Sequence, residues 1–244
     1  MTALRLADAG EAADLAAFLG RLIHYDRAAA VRLQARGGAL AVFGRPPSFE
    51  VLAIRTARLA DEAITLDVTV SAGELLEGVE ASAEGVLSVP AAVTGPPWAG
   101  LLPPRSGWQR VPGLPAPEAL LRAVAGAVAE FRTRDAELPP QHRTRTERDR
   151  IGREIWSRTL GDTHLPLRAA HAAQSLGFLR PARSAAFAGG AAHGSHTPQP
   201  EHQQPSLLAA AGWLRLSTPY GSIAVRTGGP AGLTGLSGIT VTPV

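Results

Sequence analysis

Between Thr94 and Pro117 seven prolines fall within 24 residues, in the run TGPPWAGLLPPRSGWQRVPGLPAP, and this run constrains the fold more than any other part of the chain. Proline locks φ and carries no amide hydrogen, so neither a helix nor a central strand forms at such a density. The segment must cross the protein as an extended strap, dividing a front (residues 1–93) from a rear that begins at Glu118. Trp98, Leu101, Leu102 and Trp108 give it large apolar side chains for which a solvated linker has no use. The strap is therefore expected to be pinned to the globule by its aromatics. The competing reading makes Trp98 and Trp108 a surface for a protein partner.

In the front, Ala12, Leu15, Phe18, Leu19, Leu22 and Ile23 recur at helical spacing, which predicts an amphipathic helix over 10–26. The period then becomes two. Val31, Leu33 and Ala35 alternate with Arg32, Gln34 and Arg36, and Gly37-Gly38 supplies the positive-φ turn of a hairpin into Ala39–Phe43. Residues 50–59 and 63–70 read as two further strands, the second placing Ile64, Leu66, Val68 and Val70 on one face. Ser71 and Glu74 form a capping box that predicts a short helix over 72–80, and Val86–Val89 reads as one more strand. The front is thus an antiparallel sheet with flanking helices.

In the rear, Pro117 opens a helix over 118–134 with the stripe Leu120, Leu121, Val124, Val128 and Phe131. A second helix is expected over 144–160 and a third over 166–177, ended by Gly177. Residues 180–206 have almost no large apolar side chain and are expected to be a disordered loop. Residues 212–227 alternate on either side of Pro219-Tyr220-Gly221 and predict a hairpin, followed by a loose tail within 207–244. No internal repeat is visible. The fold class is α+β: an N-terminal antiparallel sheet with flanking helices, a three-helix segment over 118–179, and a C-terminal β-hairpin.

Composition narrows the chemistry. Without cysteine there are no disulfides, thiolate metal sites or thiol nucleophiles. There is also no lysine, so all 24 basic residues are arginine, which removes Schiff-base chemistry and the lysine of a phosphate-binding loop. Arginine replacing lysine in an Ala-, Gly- and Pro-rich chain has the look of a GC-rich bacterial genome. It also explains a high isoelectric point alongside a net charge of only +3. The charge is uneven: residues 1–95 hold 8 Arg against 12 acids, and residues 96–179 hold 12 Arg against 8 acids. No apolar run approaches the roughly 20 residues that cross a bilayer, and Asp8, Glu11 and Asp14 stand where a signal peptide is cationic. A cytoplasmic protein that does not enter a membrane is expected.

Three constellations are candidates for chemistry. Arg145, Arg148 and Arg153 on the second rear helix, with Arg215 and Arg226 on the hairpin, resemble in layout a winged helix-turn-helix tracking DNA phosphates. Against that, Asp149 and Glu154 precede Arg153 and Arg158 by four residues, the spacing of self-neutralising surface pairs. His193, His196 and His202 form a spaced run in the low-complexity loop, read as composition and not as a metal site. His24 and His171 read as helix-boundary histidines. No nucleophile elbow, zinc-protease or dinucleotide motif is present, so neither catalytic residues nor a cofactor is expected. The chain is read as a non-enzymatic cytoplasmic interaction or regulatory protein with a protein partner. The alternative is a DNA-binding protein that uses 144–177 and the hairpin 212–227.

Overall fold

The structure is a computed structural model that describes residues 2–81, 85–93, 102–180 and 204–227. Trp98, the histidine run 193–202, most of the loop 180–206 and the tail from Gly228 lie outside those residues.

The elements follow the periodicities closely. After β1 (Ala3–Arg5), α1 (Ala9–Tyr25) starts where the Asp8 side chain accepts the Glu11 amide at 2.9 Å. It buries Leu15, Phe18, Leu19 and Leu22. Strands β2 (Ala30–Arg36) and β3 (Ala39–Gly44) pair antiparallel, and Gly37 and Gly38 take φ of 56° and 71° in the turn between them, as a two-residue hairpin of this twist requires. β4 (Leu52–Arg58) and β5 (Leu66–Ser71) follow, then α2 (Ala72–Glu80), whose Ser71 hydroxyl caps the Glu74 amide. The strand at β6 (Val86–Ser88) does not extend this sheet. It pairs with β1, so that Leu4 and Leu87 are fully buried in a two-stranded piece closing one end of the core.

The strap does contribute a strand, β7 (Gln109–Val111), at a proline-free stretch and on the sheet's edge, where proline neighbours cost no ladder hydrogen bonds. Helices α3 (Pro117–Glu137), α4 (Arg145–Trp156) and α5 (Leu167–Ser175) come next, then β8 (Ser206–Ala210), β9 (Trp213–Thr218) and β10 (Gly221–Arg226). β8 begins inside the stretch expected to be disordered.

The hairpin β9–β10 joins the front sheet: β10 pairs with β4, with Ile223 opposite Ala53. The result is one antiparallel sheet of eight strands in the order β5-β2-β3-β4-β10-β9-β8-β7. A helix followed by a three-strand meander occurs twice, as α1-β2-β3-β4 and as α5-β8-β9-β10, and the two meanders meet at the β4–β10 seam. The helices cover one face. There Phe18 of α1 packs on Phe178, just beyond α5, with ring centroids 5.4 Å apart. Each ring lies against a glycine: a Cβ on Gly44 would sit 3.2 Å from Phe18, and one on Gly221, where φ is 151°, would sit 2.6 Å from Phe178. No larger residue fits beneath those rings without displacing them.

The other face holds a smaller cluster of Phe43, Leu52, Ile54, Trp213 and Ala224, and the strap crosses it. Arg105 donates to Gln34 on β2 at 3.4 Å, Leu102 packs on the cluster, and Trp108 lies against it while donating to the Pro104 carbonyl at 2.9 Å. Pinning by aromatics therefore holds for Trp108.

Helices α3 and α4 are held together by charge. Arg134 donates through both terminal nitrogens to the Glu154 carboxylate at 2.8 Å each, and Arg158 engages Glu130. The bidentate Arg134 contact, with Arg158 and Arg150 nearby, holds the Glu154 carboxyl at about 2. Because its folded value is depressed, the contribution of this pair is complete above the unfolded Glu range of about 4.3 and fades as pH falls through about 2. A carboxyl-detected NMR titration should place the Glu154 midpoint at about 2 and return it upward in Arg134→Gln. A wild-type midpoint near 4 would show that the ion pair does not persist in solution.

Candidate functional site

Helical spacing on three elements builds one surface. On α1, residues 17, 20, 21 and 24 lie beside the buried stripe; on α5, residues 171, 174 and 175 do so; on α3, residues 121, 122, 125, 128, 129 and 132 do so. The short α5 forms the floor between α1 and α3, and the three faces converge on adjoining depressions of about 610, 490 and 360 Å³. The first two share Ala125 and Gln174, the first and third share Arg21, and the second and third share Ser175, so they form a continuous groove.

The groove is cationic. Arg21, Arg122, Arg132 and Arg180 line it together with His24, His171 and Gln174, and among the described residues no carboxylate lines any of the three depressions. Arg21 donates only to the carbonyl of Ala17, at 3.3 Å, and lies over Gly177. Arg180 donates to the Gly177 carbonyl at 2.6 Å and stacks on Tyr220, its guanidinium carbon 4.4 Å from the ring centre. Among the described residues none of these four arginines forms an ion pair. His171 stacks on Trp156 with centroids 4.3 Å apart and meets Phe49 edge-on at 5.1 Å; burial pushes its pKa down. What converges here are cations and hydrogen-bond donors, an arrangement that binds anions.

The arginines singled out from sequence lie elsewhere. Arg148 is tied to Asp135 at 2.7 Å, and Arg145, on the first turn of α4, has Asp149 at 3.7 Å. Arg153 is exposed on the same helix. The self-neutralising pattern exists with one exchange: Glu154 reaches Arg158 at 3.6 Å as spaced, whereas Asp149 turns back to Arg145 and not forward to Arg153. Arg215 and Arg226 lie on the strap-covered face of the sheet, Arg215 with its guanidinium carbon 5.7 Å from the ring centre of Trp108 and Arg226 at 5.9 Å from that of Trp213. Because α4 belongs to the helix layer on the opposite face, the two sets do not share a surface, and a hairpin built into the sheet is not free to act as a wing. Trp108 is half-buried, packed on the sheet cluster with the Arg215 guanidinium carbon 5.7 Å from its ring centre.

The four groove arginines escaped sequence reading because they are scattered over α1, α3 and the segment beyond α5. The one local signal was the exposed run Arg122, Ala125, Ala129 and Arg132 on α3, two arginines bracketing small residues on one face.

Residues 1–100 match the family described as Domain of unknown function (DUF8010), and residues 103–230 match the family described as Domain of unknown function (DUF8185). No curated protein and no solved structure matches the chain. The junction between the two matched stretches falls in the strap, yet they share one sheet through β4 and β10. With more than half of its length in the second match, the chain belongs to the Domain of unknown function (DUF8185) family.

Proposed function

We propose that this chain is a non-catalytic interaction protein that engages an anionic partner through the groove over α1, α5 and α3. The observation that carries the reading is the contrast between two arginine populations. Most of those of α4 and its neighbours meet carboxylates, as in Arg148 with Asp135 and Arg158 with Glu130, while among the described residues the four in the groove meet none. Unpaired guanidinium groups gathered at a concave surface raise the local concentration of anions and form charge-assisted hydrogen bonds with them. The all-arginine basic complement supports a GC-rich bacterial origin. Among the described residues no helix is long and apolar enough to cross a membrane.

The test is fluorescence anisotropy with two labelled polyanions, poly-glutamate and single-stranded DNA of about 20 nucleotides, at low and moderate salt. Salt-weakened binding of at least one is expected, reduced about tenfold or more by Arg122→Glu/Arg132→Glu and left unchanged by Arg145→Glu/Arg148→Glu. Flat titrations at low salt, or equal losses in the two double variants, would remove the groove from the account.

A further inference from the structure

We infer that the occupant of the groove is an acidic amphipathic helix of a protein partner, an inference that rests on the reading of the groove as an anion-binding surface. Over a floor to which α5 gives His171, Gln174 and Ser175, the walls carry small and aliphatic residues: Ala17 and Gly20 from α1, Leu121, Ala125 and Val128 from α3, and Leu179 beyond α5. Arg122, Arg132 and Arg180 are interspersed with these residues, and Arg21 stands where two of the depressions adjoin, so charged and apolar groups alternate along the surface as they do in protein interfaces. Ala125 and Ala129 are exposed, and side chains of that size let a second helix approach the backbone of α3 closely.

Spacing fits the same occupant. Arg122 and Arg132 are ten residues apart on one helix, about 15 Å along its axis. A partner helix lying along α3 would repeat its carboxylates over three turns at about the same interval, with its apolar stripe on Ala125 and Ala129 and its other flank toward Arg21. A single-stranded nucleic acid would meet this charge less well. Its bases need open ring faces to stack on, and among the described Phe, Trp and Tyr side chains on this side Tyr25 alone is exposed, at 38%, while Trp156 stacks on His171. A phosphate backbone would also leave the aliphatic walls against water and ribose.

The experiment uses the full chain and a labelled peptide of about five helical turns with a Leu/Ala stripe flanked by Glu. Its controls are a peptide of the same composition with the stripe dispersed and the single-stranded DNA used above. The striped peptide is expected to bind at least about tenfold more tightly than the dispersed one and to gain helical circular dichroism on binding. Ala125→Trp, which narrows the groove and keeps every charge, should cost the striped peptide that advantage over the dispersed one, while Arg145→Glu/Arg148→Glu, outside the groove, should leave it as it was. Two results overturn the inference and spare the groove: equal affinity for the two peptides, or DNA bound more tightly than the striped peptide. If neither peptides nor DNA bind at low salt, the groove reading falls with it.

Discussion

Phe18→Ala is expected to lower the unfolding free energy by about 3–5 kcal/mol and the melting temperature by on the order of 10 °C. The ring is 1% exposed, and it makes the central contact between the two helix-plus-meander units: it rests on the hollow left by Gly44 and packs on Phe178, which fills the matching hollow at Gly221. Removing it deletes the buried apolar area of a phenyl group and opens a cavity. Two features keep the neighbours from collapsing into that cavity. β3 and β4 are fixed by six register pairs, and Phe178 is held against β10. The effect should therefore sit at the upper part of the range for buried aromatics. Chemical denaturation, compared at constant m, measures it, and a loss under about 1 kcal/mol would mean that the α1–α5 contact is not a determinant of the fold.

How much of this was legible in the sequence depends on the range of the interaction. Local chemistry was readable: Ser71 with Glu74 marks the start of α2, Gly37-Gly38 marks the first hairpin, and alternation marks β2, β5 and β9. The β4–β10 seam was not read, although a trace of it is present. Leu52-Ala53-Ile54 and Ile223-Ala224-Val225 are consecutive apolar triplets, the pattern of strands buried on both faces, and these two strands face each other at the centre of the sheet. Nothing local says that strands so far apart in sequence should pair.

The topological repeat was invisible for a related reason. An inner face accepts any apolar residue of suitable volume, so two units can share a path without sharing a sequence. The groove required still more, because its arginines become neighbours only once α5 is laid between α1 and α3. The charge run on α4 was the most conspicuous basic feature of the chain, yet the structure ties Arg148 to Asp135 and Arg158 to Glu130. Conspicuous charge and unpaired charge are different quantities, and partners distant in sequence decide between them.

Arg55→Ala should be the most damaging loss of a polar side chain, at about 3 kcal/mol. Arg55 is 6% exposed in the middle of β4 on the helix-covered face. One terminal nitrogen donates to the Tyr220 carbonyl at 2.8 Å in the turn between β9 and β10; the other donates to Asp14 at 3.0 Å and lies 3.5 Å from Glu11 on α1. A single guanidinium thus ties the first helix, the central strand and the rear hairpin.

Its removal strands the Tyr220 carbonyl and takes one of two arginines from the Glu11 carboxylate, whose side chain is only 14% exposed. Asp14, at 38%, recovers water, and Arg58 still reaches Glu11 at 2.9 Å, which keeps the cost below that of a wholly buried charge. The expected order of destabilisation is Arg55→Ala, then Arg55→Met, which refills the volume without restoring the hydrogen bonds, then Asp14→Ala at about 1 kcal/mol or less. If Asp14→Ala matched Arg55→Ala, the stabilisation would lie in the exposed ion pair and not in the link to Tyr220. The seam would then be held by apolar packing alone.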